Sequence, residues 1–207
     1  HVFANPDGGW MTLQCFANGS LAREAVRKAL GLTWAAFSEA VATTPADCDE
    51  RFFLPLFTPE ISPALKRTTP VGSGSLSMDW ESQKVVARAS LEGQFLNMLL
   101  STEWMGQPPK SIFATGGASA NTAICQLLAD VFATPVQRIN SPDSVALGSC
   151  LRALRAIDPE QYFVVEKLLL QNSLTQPIDP LPKNVNCYRS LREPFRAFRN
   201  HVISLEN

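Results

Sequence analysis

Residues 116–121 have the types and the spacing to bind a small ligand through the main chain. A short apolar run at 112–114 gives way to Gly116 and Gly117, and the small polar residues that follow can cap a helix. Adjacent glycines allow a flat or bulky ligand to approach the backbone, because no Cβ stands in the way. Amides at the start of a helix can hydrogen-bond acceptor atoms of such a ligand. The two glycines could instead serve only a strand-to-helix turn that needs positive φ.

The segments on either side predict a strand, a tight turn and a helix. Residues 112–114 are predicted as the strand, and apolar side chains with the spacing of one helical face predict the helix: Ile124, Leu127, Leu128, Val131 and Phe132. A short strand is predicted at 135–140, followed by a helix that begins at 141–143. Because ligands of α/β proteins bind above the carboxyl ends of strands, this order favours a site at 116–121.

Hydrophobic spacing and turn residues predict the other elements. In chain order they are a hairpin of strands 1–6 and 10–16, helices 21–30 and 33–42, a loop-rich region 43–77 with a strand-like island at 51–57 and a surface excursion at 57–70, an apolar helix 81–104, a helix with Val145, Leu147, Leu151 and Leu154 on its apolar side, a helix 161–170, a proline-rich stretch 176–183 and a terminal helix 188–202. We expect helix 81–104 to be buried against a sheet, with Gly93 as a close-packing point. The order predicts the α/β class, a mixed sheet flanked by helices.

Some residues that could carry chemistry have simpler structural interpretations. Residues 18–20 match the N-glycosylation acceptor pattern, but a helix cap is the favoured interpretation. Trp34 and Phe37 are three residues apart and are typical of core packing. Asp143 is predicted as a helix cap rather than a catalytic acid.

Composition and charge limit the kinds of partner that we expect for this chain. The chain has 207 residues, of which 45% are hydrophobic and 18% charged, enough for one sizeable core. A formal net charge of -1 gives no electrostatic case for nucleic acid or an anionic membrane as the main partner, and no run is long enough to span a bilayer. The arginines of 188–202 could contact nucleic acid, but Glu193 dilutes their charge. We predict that these arginines are solvated and that Phe195 and Phe198 pack.

Cysteine and histidine usage argues against several kinds of site. The five cysteines are odd in number and widely spaced, which suggests neither a disulfide framework nor a zinc site and predicts a reducing, cytoplasmic compartment. The two histidines, His1 and His201, stand at opposite ends of the chain, which disfavours a His-based metal cluster or a Ser-His-Asp triad. Because the chain begins without Met on a strand-like stretch, we expect a fragment or a processed product.

Three ordered stretches, 114–121, 128–136 and 142–149, closely resemble the carboxy-terminal lobe of FGGY-type carbohydrate kinases. Within that family they are most similar to xylulose kinases of the eukaryotic type. Shorter pieces at 1–6, 16–24, 33–37 and 91–95 resemble the same subgroup in the same order. The resemblance spans about residues 2–156 and, more faintly, the tail.

The resemblance implies the ribonuclease-H-like fold that sugar kinases share with actin and the Hsp70 ATPases. It implies a nucleotide-binding lobe at 1–157 and an extension at 158–207 that packs on the same lobe. ATP or ADP is expected to bind with its adenine at Gly117 and Ala118, while Gly116 shapes the turn and Asn121 contacts the nucleotide. An Asn amide can donate and accept hydrogen bonds at a purine edge. In the eukaryotic subgroup the Trp of an S-W-x-x-F stretch lies near the nucleotide, a role that falls on Trp34 although Thr replaces the Ser.

The resemblance also implies a reaction, the ATP-dependent phosphorylation of D-xylulose to D-xylulose 5-phosphate. In the family, the catalytic aspartate, the sugar-binding residues and the phosphate loops precede the position that matches His1. We therefore expect no catalytic residue and no metal ligand in this chain, Mg²⁺ only in the complete enzyme, and no activity without an amino-terminal lobe as partner. Two alternatives stay open: a non-catalytic nucleotide-sensing or partner-binding module, and an FGGY kinase for another ketose or polyol.

Overall fold

The computed structural model describes residues 1–5, 8–46, 51–73, 80–140 and 143–206. Parts of three predicted features lie outside these residues: Pro6 and Asp7 of the first turn, the end of the glycine-serine run after Ser73, and residues 141–142 before the predicted helix. In chain order the elements are β1 (Val2–Ala4), β2 (Trp10–Thr12), α1 (Ser20–Ala29), α2 (Trp34–Thr43), β3 (Phe53–Leu54), β4 (Val71–Gly72), α3 (Trp80–Thr102), a 3-10 turn (Glu103–Met105), β5 (Ile112–Ala114), a second 3-10 turn (Gly117–Ala120), α4 (Thr122–Phe132), β6 (Val136–Arg138), α5 (Ser144–Ile157), α6 (Pro159–Ser173) and α7 (Pro182–Ser204).

Helix α3 is the centre of the hydrophobic core. Its Leu91, Phe95 and Leu96 are almost fully buried, and it packs against α2, α4, α7 and β3. The burial of this helix was predicted, but its neighbours differ from the prediction, since most of them are helices and the strand beside it has two residues. An apolar pattern around a whole helix indicates burial without specifying the partner.

Gly93 allows the closest approach in this core. A Cβ built on Gly93 would lie 1.8 Å from the carbonyl oxygen of Phe53, far inside van der Waals contact. Strand β3 therefore crosses α3 at the one place where the helix has no side chain. The predicted close-packing point is confirmed.

A buried ion pair joins three helices across the core. The Arg88 Nε donates to Glu92 Oε1 at 2.9 Å within α3, and both residues are buried. The Arg88 guanidinium also donates to the Val41 carbonyl oxygen at 2.6 Å and to the Tyr188 hydroxyl at 2.6 Å. That hydroxyl donates to Glu92 Oε1 at 2.7 Å, and burial, followed by the nearby Glu92 carboxylate, raises the pKa of Tyr188. Each charged group thus has partners, which a buried charge requires.

The strands of the described residues form three separate pairs instead of one sheet. β1 with β2 and β3 with β4 are antiparallel, whereas β5 and β6 are parallel and are joined by α4. Ile178 and Leu174 make antiparallel bridges to the other edge of β6, so mixed pairing exists there. Two parallel strands need a long crossover connection. Helix α4 is that connection between β5 and β6, the only parallel pair in the described part of the chain.

The predicted surface excursion at 57–70 is correct for most of the segment, which is exposed, but Glu60, Ser62 and Leu65 within it are buried. Leu65 is 4% exposed and Glu60 is 6% exposed. The Glu60 carboxylate accepts from the Ala17 amide at 2.7 Å and from Asn18 Nδ2 at 3.0 Å. A proline-rich composition indicated a loop correctly, but it gave no sign that one carboxylate anchors that loop inside.

Asn18 is part of the same anchor and does not cap α1. Gly19 occupies the N-cap position, without a side-chain cap hydrogen bond. The Asn18 Oδ1 instead accepts from the amides of Phe57 at 2.8 Å and Thr58 at 3.2 Å. The predicted cap within 18–20 is therefore present at Gly19 but has no side-chain hydrogen bond, and the buried, fully bonded Asn18 amide is closed to glycosylation in the folded chain.

Helix α7 also differs from its prediction. Phe195 is buried and Phe198 packs beside it, as predicted, but the arginines are not all solvated. Arg192 Nη2 donates to Glu103 Oε1 at 2.5 Å, and Arg196 Nη2 donates to the same oxygen at 2.8 Å. Hydrogen bonds from Arg196 and then Arg192 lower the pKa of Glu103, despite an opposing effect of burial. These ion pairs join α7 to the 3-10 turn that follows α3.

The apolar side predicted for α5 is only partly covered. Val145 is 83% exposed, while Leu147, Leu151 and Leu154 are half-buried, and α5 packs mainly against α6. Asp143 stands at the N-cap position of α5, yet its side chain makes no cap hydrogen bond.

Replacing Gly93 by Ala is expected to destabilise the fold by about 3 kcal/mol or more, since the methyl group meets backbone rather than a movable side chain. The matched control is Gly148→Ala in α5, where a Cβ meets no atom within 4 Å. That variant should be stabilised by roughly 0.5–1 kcal/mol through helix propensity. Urea denaturation of both variants measures the difference, and equal stabilities would contradict the close contact at Gly93.

The Glu103 ion pairs predict a pH-dependent stability. The pKa of Glu103 is lower in the folded state than in the unfolded state, where it is about 4.3. The ion pairs therefore contribute their full stabilisation at a pH above about 4.3. This stabilisation is lost as the pH falls through the folded-state pKa. Glu103→Gln should cost about 1 kcal/mol at pH 7 and progressively less as the pH falls below about 4, measured by urea denaturation. Glu81→Gln, which removes an exposed pair with Lys84, is the control and should change stability little at either pH.

Candidate functional site

The loop after β5 has the geometry that its glycines predicted. Gly116 has a φ of +85°, a conformation that side-chain-bearing residues rarely adopt, so the predicted positive-φ turn is confirmed. Residues Gly117–Ala120 then form one 3-10 turn before α4 begins at Thr122. Gly117 has no positive φ and has open space where a Cβ would stand. Its lack of a side chain therefore leaves the backbone accessible without being required by the fold.

Asn121 is the N-cap of α4. Its Oδ1 accepts from the amides of Ala123 at 3.0 Å and Ile124 at 3.3 Å. Its Nδ2 donates to the hydroxyl of Ser38 in α2 at 2.6 Å. The capping bonds use the acceptor side of the amide, so Asn121 can offer a ligand only a donor. This differs from the expectation that the amide both donates and accepts at a purine edge.

Trp34 lies at the surface rather than in the core. It begins α2, where Thr33 is the N-cap and accepts from the Ala36 amide at 3.2 Å, so the Thr that replaces Ser keeps the cap. Trp34 is 49% exposed, whereas Phe37 is fully buried. The edge of Phe37 meets the indole at 5.9 Å between centroids, and the Arg27 guanidinium carbon lies 4.9 Å from the ring centre. These contacts hold the indole in place and leave part of it open.

Four of the five residues predicted to bind nucleotide line one depression of about 770 Å³. They are Trp34, Gly117, Ala118 and Asn121. Ser38 and the α1 residues Ser20, Leu21, Arg23 and Glu24 complete much of its wall. We call this depression the indole slot. It combines an aromatic surface, exposed backbone and a few polar groups, a composition typical of small-molecule sites.

Gly116 lines a different depression on the other side of the 3-10 turn. That space has a volume of about 930 Å³ and includes Arg138 and Ser144, and Gly117 lines both depressions. The structure therefore separates Gly116 from the other four residues, in agreement with a role that is limited to the turn. A third, smaller cavity beside Asn18 and Glu60 measures only about 40 Å³ and has room for water alone.

The α1 wall of the indole slot carries charges of both signs. Arg23 donates to Ser20 Oγ at 2.9 Å and to Gln94 Oε1 at 3.1 Å, and burial lowers its pKa. Glu24 pairs with Lys28 at 2.7 Å, and this hydrogen bond lowers the pKa of Glu24. Sequence reasoning missed these residues and Ser38. The signal for Ser38 was its position one helical turn after Trp34, which places both on one face of α2.

No group of three or more His, Cys, Asp or Glu side chains is placed to hold a metal ion in the described part of the chain. Across the same residues, none of the helices combines the length and the apolar character needed to cross a membrane.

Comparison with known proteins identifies the family. Residues 2–157 match the carboxy-terminal domain of the FGGY family of carbohydrate kinases. The chain belongs to this family. The match to the family ends before α6 and α7. The division into a nucleotide-binding lobe at 1–157 and an extension at 158–207 stays a prediction.

Named relatives of this FGGY chain include mammalian xylulose kinases. The mouse xylulose kinase is 32% identical over 213 residues, which cover 99% of this chain and 38% of the relative. The rat xylulose kinase is 34% identical over 163 residues, which cover 76% of this chain and 30% of the relative. The chain thus spans about two fifths or less of the length of these relatives.

Solved structures confirm the fold class. The ligand-bound xylulose kinase of Lactobacillus acidophilus superposes with a TM-score of 0.79 at 23% identity, over 92% of this chain and 39% of that protein. The Plasmodium falciparum glycerol kinase with ADP has a TM-score of 0.67 at 17% identity, over 88% of this chain and 36% of that protein. The ribonuclease-H-like fold of sugar kinases, expected from the resemblance, is confirmed, and at these identities the likeness shows the fold alone.

The cap role of Asn121 predicts different outcomes for two substitutions. Asn121→Ala should lower stability by about 1 kcal/mol, because the amides of Ala123 and Ile124 lose their acceptor. Asn121→Asp keeps an acceptor at the N-cap and should stay within a few tenths of a kcal/mol of the wild type. Thermal unfolding followed by circular dichroism measures both, and equal losses for the two variants would contradict the cap.

Proposed function

We propose that this FGGY domain binds the adenosine end of ATP or ADP in the indole slot. The observation that carries the proposal is the convergence of Trp34, Gly117, Ala118 and Asn121 on one depression, although the first of them lies 83 positions before Gly117 in the chain. An indole backed by a guanidinium can stack on a flat base, and the base can approach the backbone at Gly117, where open space stands in place of a side chain.

We propose xylulokinase chemistry for the complete enzyme, ATP and D-xylulose giving ADP and D-xylulose 5-phosphate. The names of the mouse and rat relatives support this substrate. Phosphoryl transfer needs a base for the sugar hydroxyl, a phosphate cradle and Mg²⁺, and none of the predicted site residues has such a role. We assign those parts to an amino-terminal lobe that closes over the slot as partner, and we expect no turnover from this chain alone.

The fold alone does not identify the sugar substrate. The gluconate kinase of Lactobacillus acidophilus has a TM-score of 0.77 at 23% identity, close to the value for the xylulose kinase of the same organism. The shared fold therefore does not choose between these sugars. Within the cell we place the protein in the cytoplasm, in keeping with free thiols at Cys15, Cys125 and Cys150.

Nucleotide binding is tested by saturation-transfer NMR with ADP, which detects millimolar affinity. Wild type is expected to give a signal on the adenine protons, and Gly117→Val should reduce it at least tenfold because a branched side chain would occupy the open space beside Gly117, which lines the slot. The control Gly148→Ala should bind like the wild type. Equal binding by Gly117→Val and the wild type would place the base elsewhere.

The reaction itself is tested on the source transcript. Sequence upstream of His1 is expected to encode a sugar-binding lobe with an aspartate and a phosphate loop, and the longer product should phosphorylate D-xylulose in a coupled ADP-release assay. A transcript without that lobe would refute the kinase proposal and favour the nucleotide-sensing module.

A further inference from the structure

The hydroxyl of Ser38 is the contact that joins α2 to the cap of α4 at the indole slot. Ser38 Oγ accepts from Asn121 Nδ2 at 2.6 Å, across 83 positions of sequence. Both residues line the slot, and Ser38 is half-buried one helical turn after Trp34. One helix face therefore presents the indole and the partner of the Asn121 amide side by side.

The direction of the Asn121 amide is fixed from two sides. The amides of Ala123 and Ile124 hold Oδ1, and Ser38 takes one of the two Nδ2 protons. The second Nδ2 proton has no partner among the described residues. The Ser38 hydroxyl can also donate its own proton, since Asn121 occupies it only as an acceptor. Two hydrogen-bond donors thus stand next to each other in the wall of the slot.

We propose that Ser38 is a positioning residue for nucleotide binding: it orients the free N–H of Asn121, and the two groups together recognise an unprotonated acceptor atom of a base, such as a ring nitrogen of adenine. This inference rests on the proposed function, because it assumes that a base enters the indole slot. A bare Asn121 side chain could satisfy its second donor with water and turn away from the ligand, whereas the Ser38 contact holds that donor in one direction before the ligand arrives.

The experiment compares ADP binding by the wild type, Ser38→Ala and Ser38→Thr, with Ser190→Ala as the control. Ser190 is an exposed serine of α7 whose hydroxyl donates to the Cys187 carbonyl oxygen. Ser38→Ala is expected to bind ADP about five- to tenfold more weakly, the effect of one hydrogen bond. Ser38→Thr keeps the hydroxyl and should recover most of that loss, and Ser190→Ala should bind like the wild type.

A second measurement separates positioning from a structural role. The side-chain amide signals of Asn121 in a ¹⁵N–¹H NMR spectrum can be assigned by their loss in Asn121→Asp. In Ser38→Ala these signals should shift before any ligand is added and should lose their response to ADP, while the melting temperature stays within about 2 °C of the wild type. A purely structural role would lower the melting temperature and leave ADP affinity unchanged.

The outcomes are distinct. Normal ADP affinity in Ser38→Ala, with binding by the wild type intact, would overturn this inference and leave the proposed function standing. No ADP signal from the wild type in saturation-transfer NMR would overturn the proposed function and this inference together. Weaker binding by Ser38→Ala with recovery in Ser38→Thr supports both.

Discussion

The buried ion pair of Arg88 and Glu92 is the interaction on which the arrangement of the helices depends. Through the Val41 carbonyl oxygen and the Tyr188 hydroxyl it connects α3 to α2 and α7, which come from distant parts of the chain. A buried charge without partners would destabilise the fold by several kcal/mol. Movement of α2 or α7 away from α3 would remove partners of this ion pair and is therefore unfavourable. Because α2 carries Trp34 and Ser38, the same network sets the position of one wall of the indole slot.

Gly93 and Glu60 hold two further segments close to the core. Gly93 admits β3 against α3, and Glu60 pulls the 57–70 segment inward through the amides around Asn18. Gln94 then donates to the Asn18 carbonyl oxygen at 2.7 Å, while its Oε1 accepts from Arg23 in the slot wall. Hydrogen bonds to α3 thus run from the core to the α1 side of the slot. This wall of the slot is therefore hydrogen-bonded to the most buried helix.

The sequence was sufficient where the causes were local. Positive φ at Gly116, the helix that follows it and the two short strands on either side of that helix all depend on residues within one supersecondary unit, and each was predicted. The failures share a different cause. Arg192 and Arg196 look like solvated arginines until Glu103 is placed beside them, and that carboxylate lies 89 and 93 positions away. Glu60 and Asn18 form their bonds across 42 positions. Hydrophobic periodicity says which face is buried but does not reveal a polar partner that only the fold brings close.

The contact between Asn121 and Ser38 also has a consequence for how the protein folds. The strand-turn-helix-strand unit from Ile112 to Arg138 can form from neighbours in sequence, and it contains the whole glycine loop. The indole slot exists only after α2 has docked, because closing a loop of 83 positions must come before the Asn121–Ser38 bond. A partly folded chain can therefore contain an intact glycine loop and still lack the indole slot that is proposed to bind a base. The proposed nucleotide binding would therefore report on completed tertiary assembly rather than on the presence of the glycine loop alone.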